Sequence, residues 1–135
     1  MTKDNFMGWQ FLDTSSMLEP IEDWCWEEEK DAMQASTKNH HVLFENEDVR
    51  VLEVVVQPGE REDFHTHKLK SIFIADSLAD MRYYGPNGEI QFERKAPPAH
   101  VFRTSITWKE PEGLHAVENL SQTQVLHGIR IELKH

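Results

Sequence analysis

The stretch EDFHTHKLKS, residues 62–71, sets two histidines one residue apart, His65 and His67, and reaches Ser71 four positions later. Side chains at i and i+2 of a β-strand share a face, with Cα atoms roughly 6.5 Å apart, near enough for both imidazoles to reach one cation. The pair is a candidate half of a metal site if it lies on a strand, and the flanking sequence places it on one. From residue 41 onward the chain reads as strands split by turn signals, the pattern of an all-β sandwich or barrel. HVLFE (41–45) leads through NED into VRVLEVVV (49–56), which QPGERED ends with Pro58 and Gly59. FHTH (64–67), SIFIADSL (71–78) and MRYY (81–84) follow, and GPNG (85–88) reads as a tight reversal. EIQFER (89–94), VFRTSITWK (101–109), LHAVEN (114–119) and QVLHGIRIELK (124–134) complete the set.

VLEVVV and SIFIA are apolar at both parities, which places those strands between two layers. In the last strand Val125, His127, Ile129, Ile131 and Leu133 share one parity, and Arg130, Glu132 and Lys134 the other. That alternation predicts a buried face carrying His127 and a solvent face carrying the charges.

The 135 residues are enough for one domain with its own core, here a barrel over 41–135. Residues 1–40 read differently. The first 31 hold nine acids against two lysines, a net of −7 out of −10 for the chain. EPIEDWCWEEEKDAMQAS (19–36) predicts a short helix with Pro20 in its first turn and Ile21, Trp24 and Cys25 on one stripe. Trp9, Trp24 and Trp26 lie in this extension, so it is expected to pack on the barrel or on a partner subunit, with a homodimer as the expected assembly. The charge of −10 argues against nucleic acid and anionic membrane surfaces. A lone cysteine, Cys25, excludes an intramolecular disulfide, a zinc ribbon and a CxxC redox motif, and with no signal-like start and no long apolar run it points to a soluble, cytoplasmic protein.

PEGLHAVEN (111–119) supplies a third histidine. His115 begins a short strand after a Pro/Gly turn, and antiparallel strands meeting inside a barrel could bring His65, His67 and His115 to one point. Three imidazoles around a divalent cation leave coordination positions for water or substrate. These stretches resemble the two motifs of the cupin superfamily, over roughly residues 41–134. The first, G-x5-H-x-H-x3,4-E-x6-G, is met by Gly59, His65 and His67; the second, G-x5-P-x-G-x2-H-x3-N, by Pro111, Gly113, His115 and Asn119, one residue short between glycine and histidine. The resemblance implies the RmlC-like double-stranded β-helix, a jelly-roll barrel, with a mononuclear site for iron, manganese, nickel, copper or zinc held by His65, His67 and His115.

Departures from the motifs shape the functional expectation. Ser71 occupies the usual glutamate ligand position, the glycine closing the first motif is missing, and Ser105 stands where the second would begin with glycine. Three-histidine sites resembling this one occur in thiol dioxygenase and diketone-cleaving dioxygenase branches of the superfamily. The resemblance therefore implies a small-molecule dioxygenase-type oxidoreductase, with a non-catalytic binding or sensing cupin, with or without metal, as the alternative. Ser71 and His127 are the further pocket candidates, the first as a weak ligand, a hydrogen-bond partner or a space-making residue, the second as a core histidine. His40, His41, His100 and His135 belong to no constellation and read as surface residues, and one of Tyr83 and Tyr84 faces inward. Neutral imidazoles leave the cation's charge uncancelled, so the expected ligand is a small organic anion, with Lys68 and Lys70 at the rim.

Overall fold

β-Branched and aromatic residues fill the runs between turn signals, and nearly every such run forms a strand. The structure is a computed structural model and describes residues 26–101 and 104–135. Its strands are β1 (His40–Glu45), β2 (Val49–Val56), β3 (His65–His67), β4 (Ser71–Ser77), β5 (Met81–Tyr84), β6 (Ile90–Arg94), β7 (Ser105–Lys109), β8 (Glu112–Asn119) and β9 (Leu126–Leu133). They pair antiparallel in two sheets, β1-β2-β9-β4-β7 and β3-β8-β5-β6. Between the sheets lie Val54, Phe73, Ala75 and Leu78 in one apolar cluster and Val56, Ala79, Met81, Tyr83 and Leu126 in another. This is the expected all-β architecture of two facing antiparallel sheets.

Most bounds move by one or two residues, and three differences from the sequence reading have a structural reason. β7 starts at Ser105 and not at 101, because residues Ala99–Val101 form a 3-10 turn. β8 starts at Glu112, so part of the Pro/Gly turn read at 110–113 is strand. The helix expected over 19–36 appears, in its described part, as a 3-10 turn (Glu28–Lys30) and a single-turn helix α1 (Ala32–Ala35). Asp31 separates the two with an extended ψ of 146°, and its carboxylate accepts the Met33 N–H at 3.0 Å as an N-cap. Residues 1–25, with Trp9, Trp24 and Cys25 among them, lie outside the described residues.

The alternation in β9 is real, but its direction is the reverse of that expected. Leu126, Gly128, Arg130 and Glu132 face the interior, and His127, Ile129, Ile131 and Leu133 face out. The interior tolerates Arg130 and Glu132 because each has a charged partner there, Glu112 and Arg50 respectively. Outside, Val51, Ile131, Ile72 and Trp108 align across four neighbouring strands, with Ile129, Ile74 and Ile106 in the next row. His127 therefore does not enter the core. Its side chain is 27% exposed, with Nδ1 2.6 Å from Asp76 and Nε2 2.7 Å from Glu53, so it ties β4 to β2 across β9. The hydrogen bonds to Glu53 and Asp76 raise its pKa.

Two glycines have a geometric role. Gly59, in the turn that follows β2, has φ of 76°, a conformation that a side chain disfavours. Gly128, between Val54 and Ala75, leaves room for the Phe73 ring against the strand: a Cβ there would stand 2.5 Å from the ring and 2.8 Å from the Ile74 carbonyl. Gly128→Ala is expected to lower unfolding stability by about 1–3 kcal/mol, the usual cost of overpacking. Urea titration would measure it, and an unchanged midpoint would show that Phe73 relaxes freely.

Candidate metal centre

His65 pairs across the ladder with His115, but His67 pairs with Glu112, so two steps along β3 answer three along β8. This β-bulge breaks the period of two. Glu112 and His115, which strict alternation would send to opposite faces, are both buried. His65, Thr66 and His67 are buried as well. β1 contributes one further imidazole: His40, opposite Val54, is only 1% exposed and points inward. The sequence reading placed His40 on the surface. It belongs to the cluster.

Each of the four rings is held by Nδ1. His40 Nδ1 lies 3.0 Å from the Ser36 carbonyl, His65 Nδ1 2.8 Å from the Asp63 carbonyl, and His115 Nδ1 2.7 Å from the Gly113 carbonyl. His67 Nδ1 lies 3.4 Å from Glu132 Oε2. Acceptors of this kind require Nδ1 to carry the proton, which leaves a lone pair on each Nε2. Histidine ligands are oriented in this way in metal sites generally. His65 Nε2 is buried with no hydrogen-bond partner among the described residues.

The spacing also fits a shared cation. Imidazoles bound through Nε2 at about 2.1 Å have ring centroids about 4.6 Å apart at a right angle and about 5.6 Å apart at 120°. The separations are 4.6 Å (His40–His65), 5.2 Å (His40–His67), 4.9 Å (His65–His67), 4.5 Å (His65–His115) and 5.6 Å (His67–His115). Three sets have candidate ligand atoms mutually within 4.8 Å: His40, His65 and His67; Glu62, His65 and His115; and His67, Glu112 and His115. Each contains two of the three motif histidines and one residue that the motifs do not name.

The two carboxylates differ in state. Burial pushes the Glu62 carboxyl up to about 8. Its Oε1 accepts the Val117 N–H at 3.0 Å, and Oε2 stands 3.6 Å from His40 Nε2. Burial also acts to raise Glu112, but the charge of Arg130 outweighs it and holds that carboxyl well below the usual range. Arg130 donates to Glu112 Oε1 at 2.7 Å and the Tyr83 hydroxyl donates to Oε2 at 2.9 Å. Desolvation lowers all four histidines, His40 to about 4, so they are neutral and fit to be ligands. Tyr83 is the tyrosine that turns inward, its ring stacked on His115 at 4.9 Å and 3°.

The rings border a cavity of about 70 Å³ whose lining also includes Arg94, Lys109 and Arg130. Lys68 and Lys70, expected at the rim, are exposed and absent from it. Ser71 is fully buried on the inner face of β4, with Oγ unpartnered among the described residues, yet it is not part of the lining. His41, His100 and His135 are exposed. Asn119, the last residue of the second motif, anchors loops, donating to the carbonyls of Val56 and Gln124.

No family profile and no curated protein matches the chain. Solved structures do. It is similar to a cupin domain from Bordetella pertussis Tohama I (22% identity, 71% of this chain and 92% of that one, TM-score 0.57). It is also similar to an RmlC-like cupin family protein with a double-stranded β-helix fold from Methanocaldococcus jannaschii (17%, 87% and 94%, TM-score 0.51). The fold is that of a small cupin domain.

The opposed shifts predict a pH signature in the metal-free chain. Histidines lowered on folding give stability that grows as pH rises to about 6.5. Glu62, raised on folding, keeps a proton that the unfolded chain releases, so its contribution falls as pH climbs from 4.5 to about 8. His127, also raised, loses its contribution on the alkaline side of the same interval. Glu62→Gln should therefore flatten part of the decline between pH 6.5 and 8 in thermal melts. An unaltered slope would mean that Glu62 is ionised in the folded state.

Proposed function

We propose that this cupin-fold chain binds one divalent transition metal in its barrel and uses it on a small organic anion, in an oxygen-dependent oxidation. The observation that carries the reading is the set of inward imidazoles with Nδ1 anchored and Nε2 left available, built around His65, His67 and His115. A bound divalent ion would supply Lewis acidity and, if redox-active, the capacity to engage dioxygen.

The chain's own residues support an anionic ligand. Arg94, Lys109 and Arg130 line the cavity, against Glu112 as the ionised carboxylate, with Glu62 protonated at neutral pH. The lining is net positive even though the chain carries −10. A small carboxylate or enolate entering it is attracted and oriented by those cations in a medium less screening than water. Glu62 can hand over or accept a proton at its carboxyl oxygens, and Glu112, fixed by Arg130 and Tyr83, acts as a standing acceptor. Glu62, with its raised pKa, is the proton-transfer group of the two, and Glu112 contributes a fixed negative charge.

Metal analysis tests this first. The chain is expected to carry one ion, His67→Ala and His115→Ala to carry much less, and added metal at a hundredfold excess over Kd to stabilise the wild type by about 2.7 kcal/mol. Oxygen uptake with small carboxylates and enolates would then separate an oxidase from a binding protein. A chain that neither retains nor is stabilised by iron, manganese, nickel, copper or zinc would sink the metal reading and leave a metal-free binding module.

A further inference from the structure

We infer that His40 is a metal ligand, a fourth imidazole that β1 supplies to the site where the first cupin motif lacks its glutamate. The inference rests on the metal-binding reading above and extends it to a residue outside both motifs. Ser71 cannot supply an anionic oxygen, and it is not in the cavity wall. His40 is in that wall, buried, with its ring 4.6 Å from His65 and 5.2 Å from His67 by centroid. Its candidate ligand atom lies within 4.8 Å of theirs.

A buried histidine is more often a satisfied core residue than a ligand, and the hydrogen bonding distinguishes the two. The Ser36 carbonyl fixes the Nδ1 proton. Nε2 then bears only a lone pair, and beside it stand two further neutral imidazoles, while the proton that the Glu62 carboxyl keeps does not reach it, since Oε2 is 3.6 Å away, too long for a hydrogen bond. Burying an acceptor among other acceptors is costly unless a cation or proton lies among them. A divalent ion satisfies all of them together.

The assignment brings residues 31–40 into the site by two routes. Ser36, just after α1, aims His40. Asp31 receives Arg50 Nη2 at 3.1 Å, Arg50 Nε reaches Glu132 at 2.5 Å, and Glu132 in turn holds His67 Nδ1. The segment before the barrel thus orients one ligand directly and a second through an ion-paired chain.

Two measurements on the full chain test the proposal. In the first, ¹⁵N-histidine protein is titrated with Zn²⁺, and the Nε2 resonances, assigned through each residue's Cβ protons, are followed. Coordination is expected to shift Nε2 of His40 together with those of His65, His67 and His115. A site that fills with the His40 resonance unmoved overturns the proposal and leaves the metal reading intact, whereas a chain in which no histidine shifts overturns both. In the second, Co²⁺ affinity and visible spectrum are compared in wild type, His40→Gln and His41→Gln. Losing a hydrogen-bond partner behind a ligand already weakens metal binding about 10–100-fold, so losing the ligand should cost at least that and change the spectrum. His41→Gln, on the exposed neighbour, should match wild type. A His40→Gln variant with wild-type affinity and spectrum overturns the assignment.

Discussion

A guanidinium inside the barrel sets the terms for the rest of the site. Arg130 is on the inner face of β9, and removing such a charge from water costs several kcal/mol unless an opposite charge meets it. Glu112 does so at 2.7 Å, and it reaches the interior only because the bulge between β3 and β8 lets it share a face with His115. The pairing keeps Glu112 ionised, which gives the Tyr83 hydroxyl an acceptor and fixes the ring that lies on His115. Glu62 receives an amide hydrogen and faces imidazoles, and burial decides its state in the other direction. One buried cation thus separates two otherwise similar carboxyls into an anion and an acid.

The strands were legible because turn residues punctuate them: β2 and β5 have the bounds expected from sequence, and GPNG closes the β5–β6 hairpin. The motif histidines were legible because β3 and β8 pair where the spacing required. What sequence periodicity could not convey was direction. In β9 the apolar parity faces outward, across rows of isoleucine and valine on neighbouring strands, while charge faces inward where partners from β2 and β8 neutralise it. His127 was misplaced with it. His40 and Glu62 carried no local signal, since neither has a partner at motif spacing and each is brought in by long-range pairing. Glu112 was hidden for another reason, because a bulge is invisible to a rule of two.

The site is assembled from separate parts of the chain. β3 and β8 supply the motif histidines, β1 supplies His40, the loop after β2 supplies Glu62, and β9 supplies both Arg130 and the carboxylate behind His67. Strands of both sheets contribute, so the geometry is fixed by the closure of one sheet on the other. Ring orientation is then set by backbone carbonyls at Ser36, Asp63 and Gly113, groups that no side-chain substitution deletes.

Phe92, Tyr83 and His115 form a continuous column of rings, with Phe92 stacked on Tyr83 at 4.7 Å and 16° and Tyr83 on His115 at 4.9 Å and 3°. The column runs from the edge strand β6 to the centre of the barrel. Flat aromatic faces in van der Waals contact resist sliding and tilting together, so a disturbance at the outer end arrives at the inner one as a change in ring pitch. A substitution on this edge strand is therefore not remote from the site: removing the ring at position 92 takes away the outer support of a stack whose inner member is His115, two strands away.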